Sequence, residues 1–266
     1  MEYTAIFEGG GIKGLAYVGA ICALEEEGFV CKKAAGTSIG AIFAGLLVAG
    51  YTGKEMTYLM QKLTFSQLLY QNKTKLKSIF QDKGLYSSFM IESYLDYLLM
   101  QKRVRYLSDL TYQQKELKVV SYDMTQKKSV VLPDALPVYG YFTSSFPLAR
   151  MITYSMLFPG FFQPLKLGDS FLVDGGVSNN FPCHVFPYKE DELVIGFRIL
   201  KKEYKGCPPT MHMISIDTKS IKTLDFKVTE AEKMKLFQAG YLATKQEIQR
   251  IKAKRLLQSS DKDVFI

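Results

Sequence analysis

The chain has 266 residues, a formal net charge of +8 and a hydrophobic fraction of 47%. That length allows a sizeable core, burying roughly 75% of the unfolded surface. The composition excludes disordered, collagen-like and low-complexity classes. No repeat or Pro/Ser-rich linker divides the chain. Residues 1–266 are therefore expected to form one domain, with a motif-bearing core over about 3–200 and a C-terminal strand and helices over 201–266.

In chain order, Tyr3 to Phe7 is a short β-prone run ending at glycines. Leu15 to Glu27 predicts a helix, with Leu15, Val18, Ile21, Cys22 and Leu24 on one side and Gly28 as its stop. Cys31 to Gly36 supplies a second strand, and Ile39 to Ala49, apolar nearly all round, a buried helix. Gly53 to Leu63 and Ser87 to Met100 have helical patterns. Leu117 to Asp123 and Ser129 to Leu132 read as strands joined by the turn Thr125-Gln126-Lys127. Ser144 to Leu157 is expected to be helical despite Pro147. Ser170 to Val173 and Leu193 to Leu200 read as strands. Thr229 and Glu232 form a capping box for a helix running to about Leu257, with a break expected near Gly240. Strands alternating with helices predict an α/β fold with a largely parallel central sheet.

The basic excess raises a nucleic-acid reading. Its distribution argues against one. Residues 1–50 and 131–200 each carry −2, whereas 51–130 and 201–266 each carry +6, and no helix-turn-helix, zinc-finger or RNP pattern accompanies them. Cys22, Cys31, Cys183 and Cys207 contain no C-x-x-C pair, so free thiols are expected rather than a disulfide scaffold. With only His184 and His212 beside them, neither a metal site nor a cofactor is expected. Met1-Glu2-Tyr3 lacks the basic start of a signal peptide. The longest apolar run, Ile39 to Tyr51, falls short of the ~20 residues of a membrane helix. A soluble cytoplasmic protein is expected, with peripheral membrane contact and signal-free secretion left open.

Three motifs carry chemistry. Gly9-Gly10-Gly11-Ile12-Lys13-Gly14 follows the first strand and opens a helix. As G-x-G-x-x-G it fits a dinucleotide loop, but the acidic residue due about 20 positions on is missing around Cys31 to Gly36. It also fits a backbone-amide cradle for an oxyanion, or a plain tight turn. Gly36-Thr37-Ser38-Ile39-Gly40 is G-x-S-x-G between strand and helix, the context of a nucleophile elbow; the alternative is Ser38 as a simple helix N-cap. Asp174-Gly175-Gly176 ends an apolar strand and reads either as a hairpin turn or as a carboxylate held at a strand end. Neither histidine lies in a triad-like context, which leaves Asp174 as the base for Ser38.

Together these ordered motifs resemble the patatin-like phospholipases. The stretch Asp174 to Pro182 is similar to the family's extended aspartate motif, and Ser155 to Pro164 to its proline-containing segment. Leu117 to Asp123 with Thr125 resembles its central strand and turn, and Gly240-Tyr241 is a weaker echo. The resemblance implies a three-layer α/β/α sandwich and a Ser-Asp dyad. Carried over, Ser38 is the nucleophile and Asp174 the general base. Amides of Gly9, Gly10, Gly11 and Ile39 form the oxyanion hole, and Gly14, Gly36, Gly40, Gly175 and Gly176 support the motifs. The family often has Asp where Glu8 stands.

The implied activity is calcium-independent hydrolysis of an acyl lipid, a phospholipid or lysophospholipid. A transacylase on the same dyad, a non-catalytic lipid-binding module and a nucleotide-binding enzyme remain as alternatives. Lys73, Lys75 and Lys77, with Arg250, Lys252, Lys254 and Arg255, are candidates for contact with an anionic membrane, or else form solvated faces. The oligomeric state is left open.

Overall fold

The structure, a computed structural model, describes residues 1–62, 70–71, 84–200, 202–223 and 228–263. The elements in chain order are β1 (Glu2–Phe7), α1 (Ala16–Glu26), β2 (Val30–Thr37), α2 (Ile39–Val48) and α3 (Gly53–Lys62). Then come β3 (Tyr70–Gln71), β4 (Gly84–Ser87), α4 (Phe89–Gln101), α5 (Leu107–Tyr112), β5 (Glu116–Asp123) and β6 (Lys128–Leu132). They are followed by α6 (Leu148–Ser155), β7 (Gly160–Phe162), β8 (Leu165–Leu167), β9 (Ser170–Asp174), β10 (Val194–Arg198), β11 (His212–Ser215) and α7 (Glu230–Asp263).

The main sheet runs β11-β10-β1-β2-β5-β9-β8, with β6 also on β5. From β11 to β5 every pairing is parallel. The pairings of β6, β8 and β9 are antiparallel. The central strands are apolar on both faces because both are covered. Ala5, Phe7, Ala34, Ile195 and Phe197 face the large helical core. Ile6, Ala35 and Val194 alternate to the opposite side, beneath Phe181 and Phe186. The fold is therefore mixed α/β around a mostly parallel sheet flanked by helices.

One pairing detail positions the site. Val119 and Val120 pair with β2 and with β6, and Ser121 to Asp123 pair with β9 and with β6. Since β6 occupies one edge of β5, β2 and β9 share the other. They meet there end to end: Thr37 lies opposite Val120 and Asp174 opposite Ser121.

Several expectations are corrected. The helix of Ser144 to Leu157 begins only at Leu148, because Pro147 is extended (φ −66°, ψ 126°) and stands as its N-cap. α7 runs unbroken through Gly240. A Cβ on Gly240 would collide with the Ala16 carbonyl of α1, and one on Gly19 with the Phe237 carbonyl of α7. These glycines are therefore where two helices touch backbone to backbone. The Thr229–Glu232 capping box is formed, with the Glu232 amide donating to Thr229 Oγ1 at 3.2 Å. Cys183 and Cys207 are joined in a disulfide, not left as free thiols; Cys22 and Cys31 are free. The fold brings two distant sulfurs together, a pairing that the spacing of the cysteines does not reveal.

Candidate active site

Ser38 follows the last residue of β2 and precedes the first of α2. Its backbone lies at φ 54°, ψ −128°, a region that β-carbon-bearing residues avoid at a cost of about 1–3 kcal/mol. The serine side chain makes no capping hydrogen bond, which removes the simple N-cap reading. The turn closes because Gly36 and Gly40 have no side chains. A Cβ on Gly36 would enter the Gly40 backbone, and one on Gly40 would stand 2.5 Å from the Phe7 carbonyl. The Ser38 amide donates to Ser155 Oγ at 2.9 Å.

Asp174 ends β9 and is 2% exposed. The Gly176 amide donates to its Oδ1 at 2.7 Å, within a short 3-10 turn over Gly175–Val177. This turn, rather than a hairpin, follows the strand; the next strand, β10, pairs with β1 on the far side of β2. Burial raises the Asp174 pKa from 3.8 to about 6, against the lowering effects of the Ser38 hydroxyl and the Gly176 amide. Oδ2 is buried with no closed hydrogen bond. Asp174 thus keeps one acceptor oxygen unused, within the influence of the Ser38 side chain.

The glycine loop lies against both. The Gly9 amide donates to the Asn180 carbonyl at 2.9 Å, so it is not free to hold an oxyanion. Asn180 Nδ2 donates in return to the Gly9 carbonyl at 2.9 Å. Among the described residues, no acceptor takes the amides of Gly10, Gly11 or Ile39. Gly11 has φ +56°, and a Cβ there would meet the Thr223 carbonyl. Asn180 and Thr223 thus crowd the loop from within the protein, which disfavours the pyrophosphate reading.

Glu8, just before the loop, is fully buried. Its Oε2 accepts the amides of Ile199 at 2.6 Å and Leu200 at 2.8 Å, and its Oε1 the Tyr204 hydroxyl. Burial raises its pKa and these bonds oppose the rise. The longer side chain lets this carboxylate tie the glycine loop to the end of β10.

Ser38, Asp174, Gly9, Gly10, Gly11, Ile39 and Gly176 all line one cavity of about 410 Å³. That volume falls in the usual range for ligand sites, roughly 300–1,000 Å³. Its far wall is apolar, including Ile42, Ile91, Met156 and Phe161, and Lys202 stands among its few charges. Gly14, Gly36, Gly40 and Gly175 lie behind the surface as packing positions. Lys13 lines a separate cavity with Arg198 and Ser215. His212 pairs with Glu247 at 3.0 Å and His184 lies beside the disulfide; neither lines the site. Of the basic candidates, Arg250 pairs with Glu247 and Lys252 with Glu27. Lys73, Lys75 and Lys77 lie outside the described residues, as does the Arg255 side chain.

Asn180 and Ser155 are the site residues that sequence reasoning did not single out. Ser155 opens the proline-containing segment and Asn180 lies in the extended aspartate motif, yet nothing local distinguishes a clamp asparagine from its neighbour Asn179.

The model of the patatin-like phospholipase family matches residues 5–187. The chain belongs to this family. Among relatives of the patatin-like chain is "Uncharacterized protein YqhO" of Bacillus subtilis (strain 168), 39% identical over 76% of this chain and 73% of that one. Another is "Probable lipid hydrolase 463L" of Invertebrate iridescent virus 6, 29% identical over 68% of this chain and 62% of its own length. Solved structures share the patatin-like fold. VipD from Legionella pneumophila superposes with a TM-score of 0.64 at 16% identity, covering 93% of this chain and 67% of that one. The ExoU–SpcU complex from Pseudomonas aeruginosa gives 0.58 at 18% identity, covering 93% and 51%. Among the described residues, no helix is long and apolar enough to cross a membrane.

Proposed function

We propose that this protein hydrolyses carboxylic esters of acyl lipids, phospholipids or lysophospholipids, through an acyl-enzyme on Ser38. The observation that carries the reading is a serine in a left-handed elbow beside a buried, elevated carboxylate, on a cavity with an apolar wall. Family membership supports lipid hydrolysis.

Asp174 accepts the hydroxyl proton as Ser38 Oγ bonds to the ester carbonyl carbon. The carbonyl oxygen becomes an oxyanion held by the amides of Gly10, Gly11 and Ile39. The alcohol leaves with the proton from Asp174. Water then gives a proton to Asp174 and attacks the acyl carbon; as the bond to Ser38 Oγ breaks, Asp174 returns that proton to the serine and the fatty acid leaves. A pKa near 6 makes Asp174 a better base than an ordinary carboxylate while leaving it ionised at neutral pH. No step needs calcium, so a chelator should leave the rate unchanged.

The site opens to a surface that includes Phe158, 46% exposed. Transient docking on a lipid surface follows, and the basic C-terminal helix favours an anionic one. Vesicle binding that rises with anionic lipid and fades in high salt is the expected result. The Cys183–Cys207 disulfide persists in oxidising surroundings, which weighs against the reducing cytosol as the place of action.

The deciding experiment combines fluorophosphonate labelling with fatty-acid release from mixed lipids. Ser38→Ala should abolish labelling and lower release by at least ~10³-fold, and Asp174→Asn should slow both. An active Ser38→Ala enzyme would end this reading.

A further inference from the structure

A second cavity lies beside the first. Its volume is about 70 Å³, and no charged residue lines it. On the same measure one water-sized group needs roughly 10–15 Å³, so the space takes a short run of about five. Ile39, Ile42 and Ile91 line both cavities. Leu46 of α2, Met56 of α3 and Leu98 of α4 line the second cavity and not the first, each at most 5% exposed. The lining of the second cavity is apolar apart from the Tyr94 hydroxyl, a surface that hydrocarbon covers more favourably than water.

The route between the cavities is set by α2. Ile39, Ile42, Phe43 and Leu46 recur at helical spacing, one stripe that starts at the residue after Ser38. At 1.5 Å per residue, Leu46 lies about 12 Å along the helix from Ser38. An extended alkyl chain advances about 1.3 Å per carbon, from bonds near 1.5 Å, so that distance matches about nine carbons.

We propose that the acyl chain of the substrate runs from Ser38 along α2, passes between Ile42 and Ile91, and ends in this second cavity, which makes the protein selective for acyl groups of about ten carbons. The inference rests on the hydrolase reading above and adds what sets its chain-length preference. Ile42 and Ile91 form the waist of the channel. Leu46, Met56 and Leu98 close its end, and these residues rather than the dyad decide which ester is cut fastest.

The test is a series of monomeric p-nitrophenyl esters from four to twelve carbons. For the wild type, kcat/KM should rise roughly fourfold per carbon once the chain passes Ile42, the gain expected from burying one methylene, and level off near ten. Leu46→Trp and Leu98→Trp fill the second cavity from two different helices. Each should lower the ratio of ten-carbon to four-carbon activity by tenfold or more. Leu46→Ala should move the plateau to longer chains. Fluorophosphonate labelling reports that each variant retains its site, and where a filling variant is not labelled, Leu46→Ala decides. A flat wild-type profile, or an unchanged ratio in labelled variants, overturns the proposal.

A binding readout separates this failure from failure of the hydrolase reading. Decanoate, but not butyrate, should raise the Tm of Ser38→Ala, and Leu46→Trp should remove that rise in the same background. Chain binding without ester turnover would count against the chemistry alone. Turnover without chain-length dependence would count against the cavity alone.

Discussion

Ser155 accepts the amide of Ser38 on its hydroxyl at 2.9 Å and donates the hydroxyl proton to the Val120 carbonyl at 2.5 Å. Ser155 is fully buried, so this relay is shielded from water. It fixes the strained elbow to β5. Ser155→Ala leaves a buried amide and a carbonyl without partners, at a cost of about 1–3 kcal/mol. The expected outcome is a lower urea midpoint together with slower fluorophosphonate labelling of Ser38. A change in stability with an unaltered labelling rate would limit the residue to packing.

Asp174 makes opposite demands on stability and activity. Its folded pKa, about 6, lies above the ordinary 3.8, so folding favours the protonated acid. Between these values the unfolded chain holds fewer protons than the folded one, and stability falls as pH rises from about 4 through 6. A shift of this size corresponds to about 2–3 kcal/mol. Asp174→Asn should therefore raise the Tm at pH 8 and leave it nearly unchanged at pH 4. Labelling by the wild type should do the reverse, rising with pH to a plateau above an inflection near 6. A pH-independent rate between 5 and 7 would remove Asp174 as the base.

The Cys183–Cys207 disulfide ties the loop after Asp174 to the segment bearing Tyr204, which binds Glu8 and Asn180. Reduction should destabilise the fold by about 3 kcal/mol on a chain-entropy estimate, read as a drop in Tm with a thiol reductant. Thiol counting after denaturation should give two groups in the oxidised protein, Cys22 and Cys31, and four after reduction. In the native protein Cys31 should resist alkylation, since burial pushes its thiol up to about 12.

Gly240 separates helix propensity from packing. In an isolated helix Gly→Ala stabilises by about 1 kcal/mol. Here the new methyl would strike the Ala16 carbonyl, and α1 and α7 would have to move apart. Gly240→Ala is expected to lower the denaturation midpoint, and so is Gly19→Ala on the facing helix. A raised midpoint would mean that the helices separate without cost.

Much of this fold was legible because local and global signals agree. β1 is an apolar run ending before glycines, and at the elbow Gly36 and Gly40 flank Ser38 so that backbone can approach backbone. Asp174 stood out as the carboxylate at a strand end. Residues whose roles depend on distant partners were not legible. Asn180 clamps a loop 171 positions away, and Ser155, the last residue of α6, donates its hydroxyl to the Val120 carbonyl 35 positions away. The pairing of Cys183 with Cys207 has no local signature. At Gly240 the local signal pointed the wrong way, since a glycine inside a helix reads as a breaker until the neighbouring helix is known. At Pro147 the apolar pattern extends past the point where the proline ring sets the helix start.

Thr37 and Asp174 are registered on consecutive residues of β5, Val120 and Ser121. The spacing of Ser38 and Asp174 is therefore measured out on a third strand, by a single peptide step. Residues 53–101, which precede β5 and take no part in that register, can be exchanged, and with them the α3–α4 side of the acyl channel, while Ser38 and Asp174 stay in place. Substrate preference and chemistry are mechanically uncoupled, so chimaeras that swap residues 53–101 between relatives should inherit the donor's chain-length profile and keep the host's dyad.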